Sequence, residues 1–209
     1  DGVFQKYRNL RIAMMGDFQY ENAALAVVSL DVLAGHGEIN LSEAQVAAGL
    51  PIEVPGRFEV VQTDPMVILD GAHNLPKATA LANSLKHAFP GRKMSVVLGT
   101  LTIKDFSGII EVLAPLVHRW VVTEPKVFGK PAAPTSALVK QIHAVTPELE
   151  VLEAPDVQDA IDLALEHEGK DGLVLVTGSL YLLGAARSRW VNPQDILRKL
   201  EAAYQSKSV

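Results

Sequence analysis

The sequence contains no cysteine among its 209 residues. This absence excludes a disulfide framework and any metal site built on thiolates, and it agrees with a reducing, cytoplasmic location. The sequence also lacks an N-terminal basic segment followed by a long apolar run. Polar residues and glycines interrupt its most apolar stretches, residues 23–34 and 173–186. We therefore expect a soluble protein without a membrane-spanning helix.

Positive charge is also scarce. The chain has 19 lysines and arginines against 24 acidic residues, which gives a formal net charge of -5. A broad basic surface for nucleic acid is therefore not expected, and a negatively charged ligand has to be met by local groups. Apolar residues make up 48% of the chain, which is enough for a substantial core.

Several catalytic signatures are missing from the sequence. It has no Walker-type phosphate loop and no Gly-x-Gly-x-x-Gly after a strand. It also has neither a Gly-x-Ser-x-Gly elbow nor a His-Glu-x-x-His motif, so hydrolase and zinc-protease functions have no support. A nicotinamide-dependent oxidoreductase would fit the sheet pattern described below, but its fingerprint loop is absent.

The first part of the chain, residues 1–50, differs from the rest. Alternating residues predict a strand over 10–14, and a helix is expected over 21–34. Ser42 and Gln45 have the spacing of a capping box, which predicts a second, short helix. One strand and two helices cannot enclose a core, so we expect the apolar helix to pack on something outside this segment.

The remaining chain predicts an α/β fold. Prolines and a glycine mark residues 51–56 as a linker. From residue 57 to residue 209, a β-hairpin is followed by short Val/Ile/Leu runs that alternate with helical stretches. This order predicts a mostly parallel, Rossmann-like sheet with helices on both faces and one antiparallel strand.

Polar residues follow four of the predicted strands, where ligands bind in an open parallel sheet. These junctions are 70–74, 99–100, 123–125 and 177–179. Asp70 ends an apolar strand and needs a partner once it is buried, either a ligand hydroxyl or a local backbone donor. Asn74, two residues before a proline, is expected to cap a helix.

Three further side chains each allow two interpretations. Arg57 could pair with a phosphate or form an interdomain salt bridge. His73 could contact a carboxylate or a phosphate, or it could be a structural histidine. Ser179 could help to hold a carboxylate, or it could serve as a helix cap.

Four segments in order resemble folylpolyglutamate and dihydrofolate synthases of the Mur ligase superfamily. They are 16–24 (GDFQYENAA), 55–59 (PGRFE), 69–74 (LDGAHN) and 176–182 (VTGSLYL). Enzymes of this kind use ATP to convert a folate or dihydropteroate carboxylate into an acyl phosphate, which the amine of L-glutamate attacks. The resemblance is to the C-terminal portion of these enzymes.

The resemblance also implies roles for individual residues. Asn22 would contact adenine, Arg57 the phosphates and Asp70 the ribose, while His73 with Ser179 would meet the glutamate or the reacting centre. Asp70 and His73 are the expected catalytic residues. ATP and magnesium are the expected cofactors. No residue of this chain is assigned as a metal ligand, and the magnesium ligands are expected mainly on an N-terminal ATPase domain.

That ATPase domain is the expected partner, and residues 1–50 would be its tail. Without its phosphate loop, the isolated chain is expected to be inactive. Two departures from the family pattern leave roles open. Phe18 stands where histidine is usual, and residues 102–105 (TIKD) stand where the family has Asp-Lys-Asp, so the first acid is missing and Lys104 and Asp105 are left unassigned. The alternatives are a Mur-type ligase for another carboxylate and a non-catalytic module that binds a partner through its apolar helix.

Overall fold

The computed structural model describes residues 2–102, 105–192 and 194–198. Lys104 lies outside the described residues. The named elements, in chain order, are α1 Phe18–Gly35, α2 Glu43–Gly49, β1 Glu59–Thr63, β2 Met66–Asp70, α3 Leu75–Ala88, β3 Met94–Leu98, α4 Ser107–Leu113, β4 Val117–Val122, α5 Thr135–Val145, β5 Val151–Glu153, α6 Val157–Glu166, β6 Leu173–Thr177 and α7 Leu180–Arg187.

Six strands form one sheet in the order β1-β2-β6-β3-β4-β5. Strand β1 runs antiparallel to β2, and the other neighbouring strands are parallel. The predicted α/β class, with its hairpin and mostly parallel sheet, is confirmed. The parallel arrangement brings the carboxyl ends of β2, β3, β4 and β6 to one edge, where the four polar junctions of the sequence lie.

The core consists of two apolar layers, one on each face of the sheet. Ile68 of β2 belongs to the layer that includes residues of α3, α4 and α5, whereas its neighbours Val67 and Leu69 belong to the layer with α6 and α7. This division follows from the alternation of side chains along a strand. Strands buried on both faces require continuous apolar runs, which the sequence provides.

The predicted strand over residues 10–14 is wrong. Within the described residues, this segment belongs to no helix or strand. Alternation alone does not make a strand, because the backbone groups also need a partner strand. Helix α1 begins at Phe18, three residues before the predicted start, directly after a turn at Gly16 with φ 101°.

Asp31 fastens the N-terminal segment to α1. Its side chain is 1% exposed and accepts the N–H groups of Val3 at 2.6 Å and Phe4 at 2.8 Å, and the Tyr7 hydroxyl at 3.2 Å. These bonds, that of Phe4 above all, hold the pKa of Asp31 below its usual value. A carboxylate in the middle of an apolar helix is thus explained by the chain that folds over it.

Helix α1 remains partly uncovered. The start of α1 approaches α3, where the backbone N–H of Asp17 donates to Ser84 Oγ at 3.0 Å. Leu25 and Leu33, by contrast, are 69% and 43% exposed. Among the described residues, no helix is both long and apolar enough to cross a membrane.

Local signals in the sequence place several helix starts correctly. Ser42 and Gln45 form the predicted capping box at the start of α2. Helix α4 ends at Leu113 and is followed by a single 3-10 turn that contains Pro115. Asp105 Oδ1 accepts the N–H of Ser107 at 3.0 Å at the start of α4, which gives this residue a structural contact.

Candidate functional site

Two turns from different parts of the chain are bonded together at the carboxyl end of β2. The N–H of Gly71 donates to the carbonyl of Gly56 at 2.9 Å. The N–H of Phe58 donates to Asp70 Oδ2, also at 2.9 Å. The PGRF and DGAHN segments therefore form one unit, although the hairpin separates them in the sequence.

Asp70 is the centre of this unit. Asp70 is 4% exposed, and its other carboxylate oxygen, Oδ1, accepts the N–H of Ala72 at 2.9 Å. Burial raises the pKa of the carboxyl, and the N–H groups of Phe58 and Ala72 oppose this effect. Local backbone donors thus satisfy Asp70, and each carboxylate oxygen retains a lone pair for one further donor.

Positive φ angles occur on both sides of Arg57, and the one at Phe58 is strained. Gly56 has φ 69° and Phe58 has φ 49°, a region that costs a bulky residue about 1–3 kcal/mol. The Phe58 side chain is 2% exposed, and its N–H is held by Asp70, so core packing and a buried hydrogen bond offset the strain. Arg57, between them, is half-buried, and its Nη1 donates to the Gly56 carbonyl at 3.4 Å.

Gly71 makes room for the Arg57 guanidinium. A Cβ atom on Gly71 would lie 2.9 Å from Arg57 Nη1 and 2.3 Å from Leu180 Cδ2. Such distances are shorter than van der Waals contact, so any side chain at residue 71 would push both groups away. Glycine therefore allows Arg57 to lie against the turn that carries Asp70.

A cleft with a volume of about 390 Å³ opens between α1 and the start of α3. It is lined by three of the residues singled out in the sequence, Asn22, Arg57 and Asp70, and by Lys77. Asn22 is exposed and donates from its amide to Gln19 Oε1 at 3.2 Å. The remaining wall is largely apolar: Met14, Phe18, Val54, Ala72, Pro76 and Ala80.

His73 lies beside this cleft and has a contact at each ring nitrogen. Its Nδ1 is 2.7 Å from the carbonyl oxygen of Gly71, and its Nε2 is 3.3 Å from Lys77 Nζ. A carbonyl only accepts hydrogen bonds, so we assign the proton to Nδ1. The lone pair on Nε2 then accepts from the Lys77 ammonium group.

Ser179 lies at the next turn of the same sheet edge and not among the residues that line the cleft. Its hydroxyl oxygen accepts the N–H of Tyr181 at 3.2 Å, which is the capping contact that the sequence allowed as one interpretation. The turn itself adjoins the Asp70 turn, because the Gly178 N–H donates to the Ala72 carbonyl at 3.0 Å.

Asn74 has the structural role that the sequence predicts. Its side-chain oxygen accepts the N–H of Lys77 at 3.1 Å and caps α3, with Pro76 in the first turn of the helix. The cap fixes the direction in which the chain leaves the Asp70 turn. Lys77, in the same first turn, is among the residues that line the cleft.

Comparison with known proteins identifies the family of this arrangement. The family model described as "Mur ligase, glutamate ligase domain" matches residues 56–180, which is more than half of the chain. The chain belongs to the Mur ligase family. The matched range contains Arg57, Asp70, His73 and Ser179, whereas Asn22 lies before it.

Relatives within this Mur ligase family are longer than the chain. It is 30% identical over 184 residues to a dihydrofolate synthase/folylpolyglutamate synthase of Bacillus subtilis, an alignment that covers 88% of this chain and 41% of the relative. The chain thus spans about two fifths of the length of that relative.

Solved structures show the same fold. The chain superposes with a TM-score of 0.81 and 31% identity on a Mycobacterium tuberculosis folylpolyglutamate synthase complexed with ADP and AMPPCP, covering 90% of this chain and 43% of that one. A Yersinia pestis bifunctional folylpolyglutamate synthase/dihydrofolate synthase complexed with AMPPNP and Mn ion gives a TM-score of 0.70 at 26% identity, with 90% and 42% covered.

Sequence reasoning missed Lys77. A signal for it was present, because a lysine in the first turn of a helix opposes the helix dipole and calls for an explanation. The spacing of four residues from His73 was a second signal. Neither reveals that Lys77 faces the same cleft as Asn22, since that proximity depends on how α1 packs near α3.

The buried carboxyl of Asp70 is expected to make this Mur ligase domain less stable as the pH rises. Burial raises its pKa above the ordinary value of 3.8, so between these two values the folded chain binds more protons than the unfolded chain. The free energy of unfolding then falls across that window, with a slope of at most about 1.4 kcal/mol per pH unit. Below pH 3.8, the stabilisation associated with the raised pKa of Asp70 is fully present.

Urea unfolding of the wild-type and the Asp70→Asn variant between about pH 4 and 8 measures this effect. The wild-type free energy of unfolding, relative to the variant, should decrease with rising pH. Asp156→Asn is the control. The N–H of Gln158 lowers the pKa of Asp156, so its contribution is complete above about pH 4 and this difference should stay nearly constant over the range. If the free energy of unfolding of the wild-type, relative to that of Asp70→Asn, stays constant or rises with pH, the expectation is contradicted.

Proposed function

We propose that the chain supplies the C-terminal part of an ATP-dependent ligase that joins L-glutamate to a folate or dihydropteroate carboxylate through an acyl phosphate. The observation that supports this most directly is the cleft that unites Asn22, Arg57 and Asp70. These side chains come from separate parts of the sequence, yet they offer the groups that an adenine nucleotide requires. The relatives named above are folylpolyglutamate and dihydrofolate synthases.

The lining of the cleft fits a nucleotide by its chemistry. Phe18, Val54 and Ala80 offer apolar surface to a base, and the Asn22 amide can hydrogen-bond its edge. The Arg57 guanidinium has a fork of donors suited to phosphate oxygens, and Asp70 can accept from a ribose hydroxyl. Bound ATP would supply the phosphoryl group that activates the carboxylate.

We propose the following division of the chain. Residues 1–50 form the end of a nucleotide-binding central domain, 51–56 a linker, and 57–209 the C-terminal Rossmann-like domain. The cleft supports this division, because α1 provides one wall and the turns at Arg57 and Asp70 provide the other. A nucleotide between them would bring the two parts into one catalytic unit.

We place the incoming glutamate near His73 and Ser179, at the same sheet edge. The bond between Gly178 and the Ala72 carbonyl supports this placement, since it joins their two turns. Magnesium is proposed to take its protein ligands mainly from the N-terminal part of such a ligase. The chain by itself is proposed to be inactive.

Replacement of Arg57 tests the nucleotide proposal. Arg57→Met should weaken ATP binding by roughly tenfold and leave adenosine binding unchanged, because only the phosphates lose a charged donor. Isothermal titration of the 209-residue chain with ATP and with adenosine measures both affinities. Arg189→Met removes an equal charge outside the cleft, where Arg189 pairs with Asp162, and should leave both unchanged. Equal ATP affinity in Arg57→Met and the wild-type would refute the assignment.

A further inference from the structure

Lys77 is a cation in an unfavourable place for its own helix. It lies in the first turn of α3, whose free N–H groups carry partial positive charge and favour acidic residues. The first turn of α3 contains no acidic residue. A lysine here lowers helix stability slightly, so its contribution has to be sought in what its ammonium group faces.

Lys77 lines the cleft together with Arg57. In the described part of the chain, no carboxylate lies within ion-pair distance of Lys77. Asp70, the acidic residue of the cleft lining, has both oxygens bonded to backbone N–H groups. Two cations thus share a cleft with one carboxylate, which leaves a local excess of positive charge and favours a ligand with several negative charges.

His73 holds the Lys77 ammonium group in position. Its ring is fixed by the bond from Nδ1–H to the Gly71 carbonyl, and Nε2 accepts from Lys77 Nζ. A lysine side chain has many rotamers, so one restrained end lowers the entropy that ligand binding costs. Because both ring nitrogens are engaged, His73 in this arrangement acts through Lys77.

We propose that Lys77 binds the polyphosphate of the nucleotide in this cleft and that His73 is its positioning residue. The inference rests on the proposed function and adds a second phosphate-binding cation to Arg57. A polyphosphate is favoured over the glutamate carboxylates because Lys77 shares the cleft lining with Asn22 and Arg57, whereas Ser179 does not belong to it.

The test compares three probes on the full chain: inorganic tripolyphosphate, ATP and adenosine. Lys77→Met should weaken tripolyphosphate and ATP binding roughly tenfold and leave adenosine binding unchanged. Lys77→Arg, which keeps the charge, should restore most of the affinity. Lys86→Met is the matched control, since it removes the same charge from the same helix roughly 13 Å farther along its axis.

A double-mutant cycle tests the role of His73. His73→Ala should weaken ATP and tripolyphosphate binding less than Lys77→Met does. Added to Lys77→Met, it should have no further effect, because its contribution passes through the lysine. Additive losses would show an independent role for His73 and would overturn its assignment as the positioning residue.

The outcomes separate this inference from the proposed function. Unchanged ATP and tripolyphosphate affinity in Lys77→Met, with wild-type binding of both, would overturn the inference and leave the nucleotide proposal standing. If the chain binds tripolyphosphate through Lys77 but binds neither adenosine nor ATP, the cleft is an anion site and the nucleotide proposal is rejected. If the wild-type chain binds none of the three probes, both the inference about Lys77 and the nucleotide proposal are rejected.

Discussion

Replacing Gly178 with alanine is expected to lower the free energy of unfolding by about 2–4 kcal/mol. Gly178 has φ 110°, a conformation that residues with a Cβ rarely adopt. An added Cβ would also lie 2.7 Å from the carbonyl oxygen of Gly99, which is a backbone atom of the neighbouring strand end. The Gly178 N–H is bonded to the Ala72 carbonyl, so the turn cannot move away without losing that bond.

Gly184 provides the matched control for this substitution. It lies within α7, and a Cβ there would meet no atom within 4 Å. Gly184→Ala should raise the free energy of unfolding by about 0.5–1 kcal/mol, because alanine loses less backbone entropy in a helix. Equilibrium urea unfolding followed by circular dichroism measures both variants. Equal stability of Gly178→Ala and the wild-type would contradict the close approach of these two turns.

Replacing Glu168 with alanine is expected to cost about 2–3 kcal/mol of unfolding free energy. Glu168 lies at the opposite edge of the sheet from the cleft, and its side chain is 7% exposed. Its Oε1 accepts the hydroxyl of Ser95, a residue with 0% exposure, at 2.6 Å. Removing the carboxylate leaves that buried hydroxyl without its acceptor.

His118 adds little to this effect. Its Nε2 lies 2.8 Å from Glu168 Oε1, but its side chain is 37% exposed, and ion pairs of this kind contribute little. The main loss therefore comes from Ser95. Adding Ser95→Ala to Glu168→Ala should recover about 1 kcal/mol, because it removes the unsatisfied hydroxyl.

Glu150→Ala is the control for Glu168, since Glu150 pairs with Arg119 but is 56% exposed. Its loss should change the free energy of unfolding by no more than about 0.5 kcal/mol. Urea unfolding at constant pH compares the three variants with the wild-type. Similar losses for Glu150→Ala and Glu168→Ala would show that the buried bond to Ser95 carries no special weight.

The fold could be predicted well where local chemistry and burial agree. Strands buried on both faces need apolar runs, and the sequence shows them over residues 96–98 of β3 and 173–176 of β6. Capping side chains act over three residues or fewer, so Ser42 and Asn74 marked their helices correctly. The prediction failed at residues 10–14, where a strand would have needed a partner that the sequence pattern does not reveal.

The candidate site was predictable only in part. The motifs singled out Arg57, Asp70 and Asn22, and the structure brings these three to one cleft. The sequence left two partners open for Asp70, and the structure gives it the N–H groups of Phe58 and Ala72. Which donors reach a buried carboxylate depends on how a distant turn folds back, and no local pattern records that.

By itself, the sequence determined the α/β class, the hairpin, the helix caps and the Mur ligase motifs, because each of these depends on residues that are close together in the chain. Only the tertiary structure decided that Asp31 anchors the N-terminal segment, that Asp70 joins two turns, and that Lys77 lines the same cleft as Arg57. Those contacts join residues brought together by packing, and their energies depend on burial and distance.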